Sequence, residues 1–468
     1  MPQFIIEAWN DLRLFGAPAA LTKAIKNDLT IANPLFENAV LHGRRTHGIP
    51  QKIRVYEEYS DHLSIPRGYL SKLVDTLPLW GIEYLYKNLT TTFDPIFPPK
   101  KITTWDYQAP WITALLSEEQ GMGQAPPGSG KTIMGLEVYA RLGQPCLWLT
   151  HTGRLARQAR KRAETFLGIE TGFIGQGGED IKHFTVGMVQ TLIRRDLSEY
   201  KDKFGLILVD ECHHLPAETF TKVVSAFSAR YRYGLTATPY RDDGLQDLMF
   251  HALGPKLASI GKQELRVRGK LMTPTVVRRP TKFSFPYDRT RKKQNYKALD
   301  DALASNHARN KQIATDVLVE TCVKDNNVCI VLVGRLPHGQ ALYDLLSPVI
   351  PGTGYVHSKM TAKKSDAILD AFESGEYRIL IATYKMLAEG FDYPPANRLF
   401  LTGPYKGRTR IEQACGRIER VYPGKDTAFI YDYVDSEVGV LNRQAEVRLD
   451  VYEANDMPVI TVDRPYET

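Results

Sequence analysis

Cysteine is scarce in this chain. Its five residues in 468 (Cys146, Cys212, Cys322, Cys329 and Cys415) are odd in number and include no C-x-x-C pair, so neither a disulfide framework nor a zinc knuckle is expected. Long apolar runs are missing as well. No stretch reaches the roughly eighteen residues that a membrane-crossing helix needs, and Met1-Pro2-Gln3-Phe4 carries no basic segment ahead of an apolar core. The sequence therefore predicts no membrane span, no secretion and a reducing compartment: a bacterial or phage-infected cytoplasm, or a nucleus. Low-complexity tracts and short-period repeats are also lacking. What is present is ordinary globular composition, 43% hydrophobic and 24% charged, in a chain long enough for about three domains.

The net charge is a modest +7 but unevenly placed. Twelve basic residues against Glu264 and Asp288 fall between Lys262 and Lys297, a local excess larger than that of the whole chain. Such a patch suits a polyanion partner, and it is equally the pattern of a solvated basic loop.

Residues 4–15 read as a short hairpin about Asn10-Asp11, residues 19–29 have helical spacing, and residues 52–66 read as a second hairpin. This predicts a small α/β module over residues 1–95, with Arg44, Arg45 and Arg67 as loop arginines able to reach phosphates. A proline-rich linker follows at residues 93–100. From Trp105 onward strands alternate with helices, the pattern of parallel sheets covered on both faces. Apolar runs at 146–150, 185–189, 204–209 and 231–235 form one series. Residues 120–124 are poor strand formers, expected in the sheet only because tertiary context overrides propensity. A second series begins near Met272 and continues through 328–333, 354–357, 377–382 and 398–401 to 428–433, with a closing helix at 438–452. The expected fold is thus α/β, with a small N-terminal accessory domain (1–95) before two tandem parallel-sheet domains (96–256 and 257–468).

Two stretches carry chemistry. Ala125-Pro126-Pro127-Gly128-Ser129-Gly130-Lys131-Thr132 is a Gly-rich turn entering a helix, suited to cradle phosphates with backbone N–H groups and the helix dipole. Lys131 would meet the β and γ phosphates and Thr132 would hold Mg²⁺. Ala125 stands where the G-x-x-x-x-G-K-[ST] pattern has its first Gly. Phe204 to Val209 is a continuous apolar strand that ends in Asp210 and Glu211. Parallel strands present functional groups at their carboxyl ends, so Asp210 is expected beside the metal and Glu211 beside the terminal phosphate, polarising a water.

In this setting Asp210-Glu211-Cys212-His213 resembles the Walker B box of superfamily 2 helicases and translocases, which tolerate Ala at the first cradle position. Other stretches follow in the family's order. Tyr107-Gln108 resembles the adenine-reading Q motif, residues 150–158 motif Ia, and Val189-Gln190-Thr191-Leu192 the next strand-binding element. Leu235-Thr236-Ala237-Thr238-Pro239 resembles motif III and residues 331–335 motif IV. Ile381-Ala382-Thr383 with Ala388-Glu389-Gly390-Phe391-Asp392 resembles motif V, and residues 413–420 match Q-x-x-G-R-x-x-R of motif VI. Residues 238–244 and 430–435 are most similar to the XPB and UvsW-like DNA helicases.

The resemblance implies two RecA-like lobes and an ATP-dependent helicase or translocase acting on duplex, forked or branched DNA. ATP and Mg²⁺ would be bound by Gln108, Pro127, Gly128, Ser129, Gly130, Lys131, Thr132, Gly390 and Asp392, with Thr132 and Asp210 on the metal. Glu211, His213, Gln413, Arg417 and Arg420 would be catalytic. His213 would couple the ATP site to motif III, and the two arginines would serve as arginine fingers on lobe closure. Thr152, Arg154, Arg157, Gln190, Thr191, Arg335, His357, Lys359 and Thr383 would contact nucleic acid, with Lys161 and the Lys262 to Lys297 patch beside them. RNA in place of DNA, service to a separate nuclease or other accessory protein, and a non-motor ATPase switch stay open as alternatives.

Overall fold

The computed structural model describes residues 4–41, 43–175, 177–214, 217–237, 244–286, 292–323, 327–384, 386, 393–405 and 407–463. The chain divides into two compact units, Met1–Gly261 and Lys262–Thr468.

The first unit holds two main sheets and a two-stranded one. In the N-terminal one the strands lie in the order Glu57–Glu58, His62–Ile65, Leu12–Phe15, Phe4–Ala8, Tyr84–Asn88, and only the last pair is parallel. Period-two alternation buries Phe4, Ile6, Ala8, Leu12 and Leu14, and Leu21 and Ile25 of the helix Ala19–Asp28 join the same core. Lys52–Arg54, expected in a hairpin reaching residue 66, pairs instead with Thr30–Ala32.

The second sheet has the order Gly178–Asp180, Thr171–Gly175, Phe184–Met188, Cys146–Thr150, Leu206–Asp210, Tyr231–Thr236, Gln120–Gln124, Lys256–Ser259. All its pairs are parallel except the first. Gln120–Gln124 is a strand despite its glycines because Trp111 of the helix Gln108–Leu116 lies against it: a Cβ on Gly123 would come within 1.9 Å of the indole. Lys256–Ser259 extends the sheet at its edge and so belongs with the first unit. Residues 93–100 run along this unit, with Phe93 N donating to Gln144 Oε1 (2.8 Å) and Ile96 N to Gly143 O (2.8 Å).

Arg67 joins the two sheets, which corrects its reading as a loop arginine for phosphates. It is 2% exposed and donates to Gln120 Oε1 (3.1 Å), Trp9 O (3.3 Å), Ala229 O (2.6 Å) and Arg230 O. A Cβ on neighbouring Gly68 would lie 2.4 Å from His251 O. Arg232 is also buried and donates to Asn10 O (2.9 Å) and Phe227 O. Burial pulls the Arg67 guanidinium down to about 10 and holds Arg232 well below its ordinary value. Arg44 and Arg45 are exposed.

The second unit is a seven-stranded, all-parallel sheet in the order Thr353–Val356, Ile379–Thr383, Cys329–Val333, Arg398–Leu401, Phe429–Val434, Thr275–Pro280, Val459–Thr461. The closing helix runs Gly439–Glu453, and the edge strand Val459–Thr461 lies beyond it. The basic stretch from Lys262 to Lys297 is not one patch. Lys262 and Arg266 hold Glu419, Arg278 holds Glu446, and buried Arg279 holds Asp316. Residues 287–291 lie outside the described residues. Among the described residues no helix is long and apolar enough to cross a membrane.

Removing a buried guanidinium strands its carbonyl partners. Arg67→Met should therefore destabilise the first unit by about 2–4 kcal/mol, read as a lower denaturation midpoint of the full chain. Unchanged stability with weakened nucleic-acid binding would restore the phosphate-contact reading.

Candidate active site and nucleic-acid interface

The cradle leaves the strand Gln120–Gln124 and enters the helix Lys131–Leu142. Gly128 (φ 87°) and Gly130 (φ 86°) have left-handed backbone, where glycine is needed to turn the amides inward. Ala125 does not: among the described residues only Glu211 and Asp456 are non-glycines with positive φ. Its N donates to Thr236 O at 2.9 Å. Ala at this position is therefore sterically ordinary. A Cβ on Gly130 would lie 2.6 Å from Gln108 Nε2, so the loop is closely backed. Gln108, assigned to adenine by resemblance, is buried. Its Nε2 donates to Ser129 O (2.9 Å) and its Oε1 accepts from Trp105 N (2.9 Å), while Tyr107 Oη also donates to Ser129 O (3.1 Å). In this structure Gln108 holds the cradle backbone.

Lys131 Nζ donates to Ala125 O at 3.1 Å and lies 3.3 Å from Glu211 Oε1. Thr132 Oγ1 accepts from Arg162 at 2.8 Å. Arg162, on the helix Gly153–Leu167, was not among the sequence candidates, since on a helix face carrying Arg154, Arg157 and Lys161 nothing in composition marks it out. Asp210 ends a strand whose five residues are all buried. Burial, then the neighbouring Glu211 carboxylate, push its carboxyl up to about 7 against the opposing pull of Lys131 and Arg162. A buried acid that two cations do not restore to its ordinary range, sharing Arg162 with the Thr132 hydroxyl, supplies hard-oxygen donors that fit Mg²⁺.

Glu211 has φ 47°, a left-handed backbone costing a non-glycine residue about 1 kcal/mol. Its carboxylate lies between Lys131 and His213 Nδ1, the latter at 3.6 Å. His213 Nδ1 also pairs with Thr236 Oγ1 at 2.8 Å. The chain of contacts thus closes from Lys131 through Glu211, His213 and Thr236 to Ala125. Thr238, Pro239, Gly390 and Asp392 lie outside the described residues. Cys212 and Cys415 are buried thiols.

The expected nucleic-acid residues of the first unit follow the carboxyl ends of two adjacent strands, Cys146–Thr150 and Phe184–Met188. Thr152 caps its helix, Oγ1 accepting from Leu155 N (3.3 Å), and leads into Arg154 and Arg157. Gln190 Nε2 donates to His151 O (2.7 Å), joining the turn that carries Gln190 and Thr191 to the same loop. In the second unit Arg335, His357, Lys359 and Thr383 follow three neighbouring strands. Arg335 is ion-paired to Asp300 (2.8 Å), Lys359 N donates to His357 Nδ1 (3.3 Å), and Thr383 Oγ1 is buried with no hydrogen-bond partner among the described residues. Gln413, on the helix Arg408–Cys415, accepts from Tyr384 Oη at 3.0 Å. Between Arg417 and Arg420 stands Glu419, fully buried, its carboxylate on Lys262 (3.2 Å) and Arg266 (3.4 Å) and its carbonyl on Met272 N (2.6 Å). It pins the backbone that carries both arginines, and motif spacing gives no sign of it.

With the Asp210 carboxyl near 7 in the folded, metal-free protein and near 4 in the unfolded chain, folding takes up a proton between those values. Stability of the metal-free protein therefore falls as pH rises through that window. In chelator, Asp210→Asn should melt several degrees above the parent protein at about pH 8, with the excess shrinking at about pH 5. An equal excess at both would remove the burial account of Asp210.

Residues 101–241 match the family described as type III restriction enzyme, res subunit, and residues 315–422 the family described as helicase conserved C-terminal domain. The DNA 3'-5' translocase XPB2 of Sulfurisphaera tokodaii is 30% identical over 356 residues, which span 68% of this chain and 79% of that protein. A protein of Acanthamoeba polyphaga mimivirus that carries the name of an ATP-dependent RNA helicase is 25% identical over 92% of this chain and 81% of its own length. A solved fragment named as an HsdR subunit of a type I restriction enzyme from Vibrio vulnificus is alike in fold, with a TM-score of 0.57 at 17% identity over 88% of this chain and 90% of the other. Given the extent of the match to the Sulfurisphaera tokodaii translocase, the chain belongs to the superfamily 2 DNA helicases and translocases, in the XPB-like group.

Proposed function

We propose that this chain is a nucleic-acid-stimulated ATPase that moves on, or remodels, duplex or branched DNA. In this reading residues 1–95 are an accessory DNA-binding domain, residues 96–261 bind ATP, and residues 262–468 form the second motor lobe, the boundary expected after residue 256 moving to the division between the two units. The observation that carries it is the closed set of contacts linking the phosphate cradle, through Lys131, Glu211 and His213, to Thr236.

Thr132 and Asp210 would hold Mg²⁺, which would neutralise charge on the β and γ phosphates of ATP. The cradle amides and Lys131 bind those phosphates. To do so Lys131 releases Ala125 O and Glu211, and Arg162 releases Thr132. Glu211, freed from its ammonium partner, orients and polarises the attacking water. His213 passes that rearrangement to Thr236, at the end of the strand that continues into motif III. Arg417 and Arg420 answer the charge that develops on the γ phosphate, so turnover needs both lobes. Thr152, Arg154, Arg157, Gln190 and Thr191 grip phosphates on the first lobe, and Arg335, His357, Lys359 and Thr383 on the second. RNA as the substrate is a second reading, favoured by the name of the mimivirus relative.

Lys131→Ala should abolish stimulated ATP hydrolysis, and Glu211→Gln should still bind ATP while turnover drops by at least about a hundredfold. Normal turnover by Glu211→Gln would sink its role as the water-orienting base. Comparing ATPase stimulation by duplex DNA, branched DNA, single strands and RNA should give the greatest effect with duplex or branched DNA, falling steeply with salt. Greatest stimulation by RNA would select the second reading, and none by any polymer would leave a non-motor switch.

A further inference from the structure

Residues 30–55 form a small two-sided insertion in the first unit. Its strands Thr30–Ala32 and Lys52–Arg54 are antiparallel, with Ile31 opposite Ile53. Alternation sends Ile31, Ile53 and Val55 inward against Leu245 and Leu248. Leu248 lies on the helix Gln246–Leu253, whose Met249 and Ala252 belong to the core of the parallel sheet. A Cβ on Gly244 would meet Pro34 Cγ at 3.5 Å. Buried Asn33 closes the base of the insertion: its Nδ2 donates to Pro50 O (2.8 Å), its Oδ1 accepts from Leu35 N (3.0 Å) and its backbone N donates to Gln51 O (3.0 Å). The insertion is thus a fixed platform on the sheet that carries the phosphate cradle.

The same alternation sends Lys52 and Arg54 outward, and both are exposed. Arg44 and Arg45 are exposed just beyond the helix Pro34–Leu41, where Arg44 N donates to Ala39 O (2.7 Å). Residues 30–55 hold these four cations and a single acid, Glu37. None of the four holds an ion pair among the described residues. The acids that border the insertion are engaged elsewhere: Glu58 with Lys26 (2.6 Å), Glu57 with Tyr59 Oη (2.6 Å), and Asp28 with Lys72 (2.7 Å) and Tyr69 Oη (2.7 Å). The stretch Lys262 to Lys297 is the opposite case, because carboxylates of the same unit take up its cations. Lys52 and Arg54, two apart on one strand, stand about 7 Å apart along it, a spacing at which they can meet neighbouring phosphates. Exposed cations that the protein itself leaves unanswered suit a polyanion, and a duplex presents one charge per about 1.7 Å of its axis.

We propose that Arg44, Arg45, Lys52 and Arg54 form a docking face for the phosphate backbone of duplex DNA, indifferent to base sequence. It rests on the reading of the chain as a DNA motor, and it puts the grip of the N-terminal region on this insertion and away from buried Arg67. The test is fluorescence anisotropy of the full chain on a labelled duplex over a salt series. Each phosphate contact contributes about 0.9 to the slope of log K against log salt. The variant Arg44→Ser, Arg45→Ser, Lys52→Thr, Arg54→Thr should therefore bind with a slope shallower by about 2–4 and, at about 50 mM salt, at least about tenfold more weakly than the parent. Its melting midpoint should hold, since the four side chains are exposed and unpaired. Arg44→Lys, Arg45→Lys, Arg54→Lys keeps the charge and should keep the parent slope. If that variant loses slope as well, the effect is structural and the proposal is overturned. Parent-like slope and affinity in the first variant also overturn it, and leave the motor reading standing because the parent still binds. No binding of any duplex by the parent removes the motor reading, and the docking face with it.

Discussion

Two carboxylates at the end of a fully buried strand set conditions that the rest of the first unit meets. Taking even one ionised acid out of water costs several kcal/mol unless it is compensated, and Asp210 and Glu211 are adjacent. Compensation comes from Lys131, and from Arg162, which reaches the site through Thr132. It is incomplete, since the Asp210 carboxyl stays well above its ordinary range. The left-handed backbone at Glu211 belongs to the same constraint, because adjacent residues of an extended strand point to opposite faces and a turn must intervene if both acids are to serve one site. One ammonium then answers both the cradle carbonyl of Ala125 and the Glu211 carboxylate. In the proposed function a phosphate competes with Glu211 for it, which would tie the release of Glu211 to the arrival of the anion.

The two units solve a second electrostatic problem, that of buried arginine, in different ways. In the first, Arg67 and Arg232 are caged mainly by backbone carbonyls where the N-terminal sheet meets the parallel one. In the second, each large buried arginine meets a carboxylate: Arg279 with Asp316 (2.9 Å), Arg309 with Asp435 (2.8 Å), Arg448 with Asp432 (2.7 Å), and Arg398 with Glu320. Such pairs add little net stability but penalise any register that parts them. They fasten the helix His307–Val323 and the closing helix to particular strand ends. The basic excess between Lys262 and Lys297 is partly an accounting effect of this arrangement, for its acidic partners lie up to 168 residues away along the chain.

What was legible in the sequence was what local pattern determines. The apolar runs became strands, the Gly-Pro turn became a cradle, and the acids at the end of Leu206–Asp210 stand beside Lys131. What was not legible depended on contacts distant in sequence. Pro66-Arg67-Gly68 has loop composition, and only the placement of Ala229 and Arg230 makes Arg67 a joint. Gln120–Gln124 is a strand through Trp111, Lys256–Ser259 through its pairing with Gln120–Gln124, and Glu419 matters through Lys262 and Arg266. His213 was singled out by motif, while its bond to Thr236 was not.

The same geometric opportunity is filled differently in the two units. Both present loops at the carboxyl ends of parallel strands, followed by a helix. In the first unit two left-handed glycines and a free helix start provide backbone donors alone, a set that selects anions. In the second, Pro337 occupies the first turn of the helix Leu336–Leu346, removing one of the amides that a phosphate would need. Two similar sheets thus differ in what fills the turn after one interior strand in each, glycine and open amides in the first unit and proline in the second.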